Sequence, residues 1–178
     1  QGVSSAASDV YKRQLYFNGR SWSTPKKIDD QVPGGLYRIS CAASTFCVAS
    51  DSQGIPFTFD GVTWTRLNTQ LSPNFSLRGL SCPAVGFCVA SDRSGWAVTY
   101  DGRSWSAPTQ VDKAATGGMA SISCATASFC VGVDQEGHAL FFDGSIWTAP
   151  LPIDTGAIGG LSGVSCTSMT LCVAWDYS

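Results

Sequence analysis

Ser81-Cys82-Pro83-Ala84-Val85-Gly86-Phe87-Cys88-Val89-Ala90, then Asp92-Arg93-Ser94-Gly95, then Tyr100-Asp101-Gly102-Arg103-Ser104-Trp105, is one pass through a unit that recurs along the 178-residue chain. Its cysteine pairs are Cys41/Cys47, Cys82/Cys88, Cys124/Cys130 and Cys166/Cys172, about 42 residues apart, each within Ser-Cys-x5-Cys-Val-(Ala/Gly). Asp-x-x-Gly follows at Asp51–Gly54, Asp92–Gly95 and Asp134–Gly137. An apolar stretch then ends in Phe17-Asn18-Gly19, Phe59-Asp60-Gly61, Tyr100-Asp101-Gly102 or Phe142-Asp143-Gly144, and Trp22, Trp64, Trp105 and Trp147 stand three residues after those glycines.

The apolar period is two, as a strand requires. Phe46 and Val48 point one way, Cys47 and Ala49 the other, and the pattern repeats at Phe87/Val89, Phe129/Val131 and Leu171/Val173. Asn-Gly and Asp-Gly between apolar runs predict two-residue type I′ hairpins. Asp-x-x-Gly predicts a longer turn, with the carboxylate on nearby amides and glycine in the left-handed region. Each unit is therefore four short antiparallel strands: Ile-Ser-Cys, Phe-Cys-Val, the strand before Asp-Gly, and the strand carrying Trp. A repeated four-stranded unit of this length predicts an all-β β-propeller with blades of about 42 residues, four repeats in all. The pattern leaves open whether they close as a four-blade ring or form part of a larger one.

Ser4 to Gln14 reads, residue for residue, as a translated transposase-type sequencing adapter. The expected division is a disordered, non-native segment 1–14 and a propeller domain 15–178. That domain comprises a partial blade 15–35, blades 36–76, 77–118 and 119–160, and a partial blade 161–178. The opening piece supplies third and fourth strands, and the closing piece supplies first and second, so the two are complementary halves of one blade. The expectation is a fragment of a larger protein.

Charged residues are 13% of the chain and the formal net charge is −2. Lys26-Lys27 is the one adjacent basic pair outside the adapter-like segment, which argues against a nucleic-acid surface. No apolar run reaches membrane-spanning length. The repeat pairs the eight cysteines within units, as Cys41–Cys47, Cys82–Cys88, Cys124–Cys130 and Cys166–Cys172. Four such bridges imply an oxidising compartment: secreted, periplasmic or cell-surface. Metal thiolate binding is not expected, since neither Cys-x-x-Cys spacing nor a partner histidine recurs.

The hairpin Asp-Gly-x-(Ser/Thr)-Trp resembles the Asp-box of sialidase-type propellers, although that motif spaces Asp and Trp one residue further apart. The whole unit, from Ser-Cys-x5-Cys-Val-Ala-x-Asp-x-x-Gly to Asp-Gly-x-x-Trp, is similar to repeats of secreted actinobacterial β-propeller proteins over residues 15–178. The resemblance implies a propeller and assigns the Asp-box a structural role.

Ten of the thirteen acidic residues recur at fixed repeat positions, Asp9 is adapter-like, and only Asp30 and Glu136 break the pattern. A pair of carboxylates for glycoside hydrolysis is therefore hard to find. His138 is the sole histidine, and no Gly-x-Ser-x-Gly elbow occurs. These observations favour an extracellular binding module without catalysis and without cofactor. The competing expectation is a sialidase-like or other glycan-active enzyme whose catalytic residues lie outside this stretch. Candidate ligand-face residues are those that break the repeat near the turns: Arg93, Trp96, Glu136, His138 and Trp175. An aromatic and polar set of this kind suits a carbohydrate or a protein or peptide ligand. Trp96 and Trp175 equally suit packing between blades, and the four repeated tryptophans are expected in the core.

Overall fold

The computed structural model describes residues 12–29, 35–71, 77–113, 117–156 and 159–176. They form sixteen strands and no helix. A half-blade, β1 (Lys12–Gln14) and β2 (Lys26–Asp29), comes first. Three four-stranded antiparallel blades follow. The first holds β3 (Leu36–Ala43), β4 (Phe46–Asp51), β5 (Pro56–Phe59) and β6 (Trp64–Arg66). The second holds β7 (Leu77–Ala84), β8 (Phe87–Asp92), β9 (Trp96–Tyr100) and β10 (Thr109–Gln110). The third holds β11 (Met119–Thr126), β12 (Phe129–Asp134), β13 (His138–Phe142) and β14 (Leu151–Pro152). A second half-blade, β15 (Leu161–Ser168) and β16 (Leu171–Asp176), ends the series. The first strands β3, β7, β11 and β15 are successive neighbours, and the sheets form an arc that does not close into a ring.

The disulfides join Cys41–Cys47, Cys82–Cys88, Cys124–Cys130 and Cys166–Cys172, with Cα atoms 3.9–4.1 Å apart across the first hairpin of each unit. Closing so short a loop contributes about 2 kcal/mol per bridge in the chain-entropy model. The cystines also pack between blades. Cys82 and Cys88 lie with Val48 of the preceding blade, and Cys124 and Cys130 lie with Val89.

The serine before each first cysteine has a role that its sequence position does not announce. Ser40 Oγ accepts the amide of Cys82, Ser81 Oγ that of Cys124, and Ser123 Oγ that of Cys166, at 2.9–3.0 Å. One hydroxyl per unit thus links each first strand to the next.

The Asn-Gly and Asp-Gly hairpins differ from the expected type I′ turns. Among the described residues no non-glycine has positive φ, and the loops are wider, closed by Asp60 N to Thr63 O, Asp101 N to Ser104 O and Asp143 N to Ile146 O. The Asp60 Oδ1 accepts the amides of Val62 and Thr63. Asp101 and Asp143 do the same two and three residues on. The carboxylate supplies acceptors that a two-residue turn would leave unused.

The fourth strand is also not what the pattern predicts. In the first blade the Trp64 strand is continuous with β5, and the Leu67 amide donates to Pro56 O. In the other units a proline stands at the Leu67 position, as Pro25, Pro108 and Pro150. Proline has no amide to donate. There the Trp makes only an isolated bridge, Phe17↔Trp22, Tyr100↔Trp105 or Phe142↔Trp147, and pairing resumes four residues later. A hydroxyl covers the gap: Ser23, Ser106 and Thr148 accept the amides of Tyr16, Thr99 and Phe141.

Residues 12–14, expected to be disordered, form β1; residues 1–11 lie outside the described residues. β1 sits in repeat register, Gln14↔Lys26 matching Ala97↔Thr109. Backbone pairing tolerates almost any non-proline sequence, and the Gln14 Oε1 accepts the Trp64 indole N–H. The four repeated tryptophans, expected in the core, are not fully buried: Trp64, Trp105 and Trp147 are part-buried, and Trp22, in the half-blade, is exposed.

Two outcomes test this architecture. Intact mass without reductant should be eight hydrogens below that of the fully reduced chain, two for each of the four bridges. Ser81→Ala strands the part-buried Cys124 amide, and should cost about 1 kcal/mol in urea unfolding with the slope unchanged.

Candidate functional site

The turns between second and third strands are built on one buried carboxylate each. Asp51, Asp92 and Asp134 are almost wholly buried. Each Oδ1 accepts two amides, those of Gln53 and Ile55, Ser94 and Trp96, or Glu136 and His138. The turn glycine is then gripped by the end of its own blade: Gly95 O accepts the amides of Val111 and Asp112, and Gly137 O those of Ile153 and Asp154. A Cβ on Gly95 would fall 2.1 Å from Asp112 O, so only glycine fits there. The repeated aspartates at 112 and 154 thereby lock the outer strand to the turn.

On this scaffold a cavity of about 200 Å³ opens where the first strands converge, lined by Arg38, Arg78, Gly117, Met119, Ala120, Gln135 and Ser162. Four successive units contribute, together with the β12–β13 turn and the connection before β11. Arg38 is held in place: its Nε donates to Arg78 O at 2.8 Å and its Nη1 to Tyr37 O at 3.0 Å. Its guanidinium lies 4.3 Å from the Tyr37 ring centroid. Among the described residues two arginines and no carboxylate line this space, so it suits an anionic group.

The residues expected from sequence are spread around this cavity rather than gathered in it. Arg93 is exposed in the β8–β9 turn, at the repeat position of Gln135. Trp96 is half-buried against Leu71, Leu77, Ala90 and Val98, a packing position. Trp175 is exposed on β16 at the open end of the arc, its indole in the space a side chain on Gly163 would need. Glu136 and His138 do come together, with Asp134. His138 Nδ1 lies 2.7 Å from Asp134 Oδ2, a partner that sequence reading does not supply. One ligand atom from each of the three lies within 4.8 Å of the others. The Asp134 carboxylate already serves the turn through one oxygen and the imidazole through the other, so its first role is structural.

Arg38 and Arg78 are absent from the sequence-based set. They too break the repeat: Tyr37, Arg78, Ala120 and Ser162 share one register position, and Arg38, Gly79, Ser121 and Gly163 the next. Applying the repeat to the first strand as well as to the turns finds them.

A larger cleft, about 640 Å³, lies between the second and third blades and is lined by Val98, Val111, Phe142, Ile146, Trp147 and Pro150 among others. It follows from the two-residue β10 and β14, which leave the outer edges of adjacent blades splayed.

No protein-family model matches the chain, and no curated protein matches it. Solved structures do. YCF48 bound to a D1 peptide aligns with TM-score 0.61 and 16% identity, over 85% of this chain and 50% of that one. YCF48 from Cyanidioschyzon merolae aligns with TM-score 0.59 and 16% identity, over 87% and 57%. A chain of the mitotic checkpoint complex aligns with TM-score 0.63 and 13% identity, over 86% and 49%. At such identities the likeness concerns the fold, and the fold is a β-propeller. The chain spans about half the length of these matches.

The turn carboxylates set the acid response. Amides of Thr63 and Val62 hold Asp60 below its ordinary value of 3.8. Those of Ser104 and Arg103 do so for Asp101, and those of Ile146 and Ser145 for Asp143. Burial pushes Asp92 the other way, against the amides of Trp96 and Ser94. A depressed carboxylate stabilises the fold above its unfolded value and loses that contribution as pH falls through the folded one. Asp92, raised, adds stability below its unfolded value and loses it as pH rises through the folded one. Tm should therefore fall below about pH 4, where three lowered aspartates outweigh one raised. Asp101→Asn should flatten that fall, measured by thermal melts from pH 2 to 7. At neutral pH, Asp92→Ala should lower stability by about 2–4 kcal/mol, because two amides at the turn lose their acceptor.

Proposed function

We propose that this chain is an extracellular propeller module that binds a protein partner through an extended acidic peptide, without catalysis of its own. The observation that carries this reading is the cavity holding Arg38 and Arg78, with one guanidinium fixed before any ligand arrives. A preset guanidinium loses little freedom on binding a carboxylate. Gln135 and Ser162 add hydrogen-bonding groups on the same rim. The four cystines support an oxidising location, and ten acidic residues committed to repeat positions support a non-catalytic role. YCF48, similar in fold, has been solved bound to a peptide, which adds weight to a peptide ligand.

Fluorescence anisotropy with labelled acidic, neutral and basic peptides of equal length tests the proposal. The acidic peptide should bind best, and more weakly as salt rises. Arg38→Ala with Arg78→Ala should weaken it at least ten-fold, about 1.4 kcal/mol. Equal binding of all three peptides, or an unchanged affinity in the double variant, would overturn it. Turnover on a glycan panel lost in Glu136→Gln would overturn the non-catalytic part.

A further inference from the structure

We propose that the cleft between the second and third blades binds an N-acylated apolar amino acid. Its amide carbonyl accepts the Trp147 indole N–H, its side chain lies against Phe142 and Ile146, and its carboxylate meets Lys113.

Both walls of this cleft belong to complete blades. Its size follows from the outer strands. Pro108 and Pro150 break the fourth strand on both sides of this seam, whereas the first blade keeps a continuous β6. The resulting space, about 640 Å³, falls within the roughly 300–1,000 Å³ usual for small-ligand sites. It shares no lining residue with the arginine cavity.

The chain carries its own reference for what such a seam accepts. A space of about 140 Å³, lined by Gln14, Ile28 and Trp64 among others, lies between the first half-blade and the first complete blade. By repeat position every residue lining it corresponds to one lining the larger cleft: Gln14 to Ala97, Ile28 to Val111, Trp64 to Trp147. In the small space the Gln14 Oε1 accepts the Trp64 indole N–H. In the large one Ala97 offers no acceptor, and Trp147 Nε1 makes no hydrogen bond among the described residues. An indole N–H can only donate. The group it lacks is therefore an acceptor, and its internal counterpart is a carboxamide oxygen.

Two further features narrow the ligand. Val98, Val111, Phe142, Ile146 and Pro150 give the cleft apolar walls, and Ile146 is 69% exposed. Lys113 is the one charged residue of the lining, and no carboxylate pairs with it among the described residues. An ammonium group of this kind suits a carboxylate. A sugar suits the cleft less well, because its hydroxyls need partners. The lining hydroxyls of Ser106 and Thr148 already accept the amides of Thr99 and Phe141. Amide carbonyl, apolar side chain and carboxylate surround one α-carbon in an N-acylated amino acid, either free or as the last residue of a peptide.

Isothermal titration calorimetry with N-acetyl-L-leucine should show saturable binding. L-Leucine lacks the acyl carbonyl and N-acetyl-L-leucinamide lacks the carboxylate, so each should bind about ten-fold more weakly or worse. The indole resonance that disappears from the nitrogen–proton correlation spectrum in Trp147→Phe should shift when N-acetyl-L-leucine is added to wild type. Ala97→Gln places in the cleft the side chain that Gln14 supplies elsewhere, and should abolish binding. All four disulfides should survive that change, as read by non-reducing intact mass. Lys113→Ala should weaken N-acetyl-L-leucine and leave N-acetyl-L-leucinamide unchanged. The acetylated tripeptide glycyl-glycyl-leucine separates the two sources: tighter binding than N-acetyl-L-leucine assigns the site to a peptide C-terminus, and equal or weaker binding to the free molecule. No binding at millimolar concentration, N-acetylglucosamine binding as well as N-acetyl-L-leucine, or an unchanged affinity in Ala97→Gln would each overturn the proposal.

Discussion

The seam between one blade and the next is the constraint on which the rest of this molecule depends. It combines a cystine, a valine and a hydroxyl. The cystine of one unit packs under the valine of the unit before, as Cys82 and Cys88 do with Val48. The serine just before a first cysteine holds the amide of the next. A 42-residue unit of four short strands has too little interior to stand alone, and it buries its apolar face only against a neighbour. The cystine fixes the hairpin that offers that face, so the covalent bond and the packing surface are the same atoms.

The turns show how the acidic residues are consumed. A buried carboxylate needs partners, and Asp51, Asp92 and Asp134 find them in backbone amides two and four residues on. The turn glycine then receives the amides of the outer strand, so turn, inner strands and outer strand are locked together. What is left for recognition is side chains that the repeat does not need. Arg38 and Arg78 are of that kind, and so are Glu136 and His138, although His138 has been drawn into the turn by Asp134.

The fold is legible in the sequence because the first three strands of each complete unit are announced twice, by their period of two and by their recurrence. Turn geometry is less so. Asp-Gly as a dipeptide points to a type I′ hairpin, but Asp60, Asp101 and Asp143 each serve two amides and need a wider loop. The broken outer strand is written in Pro25, Pro108 and Pro150 against Leu67, a signal visible only when the units are aligned past the tryptophan. The arginine cavity is harder to see, since Arg38 and Arg78 lie on neighbouring units at adjacent, not identical, repeat positions. Only three-dimensional curvature brings them to one place. Trp175 keeps both readings, ligand platform or packing between blades, since it stands exposed on β16 with its indole over Gly163.

A repeat protein of this construction has no internal means of telling an inner seam from an outer one. The contacts that join the second blade to the third are local, made by residues that every unit carries. The end units carry them too: Val173 and Ser165 at one end, Ile39 and Cys41 at the other. In a fold stabilised by a hydrophobic nucleus at one centre, the ends would be finished with polar residues. Here the apolar stripe of β16 continues the pattern of β4, β8 and β12 without a break, Leu171 standing for phenylalanine and Val173 for valine. Terminal units of open repeat arrays need a polar outer face to stay soluble. β16 instead has the apolar composition of the strands that line the inner seams.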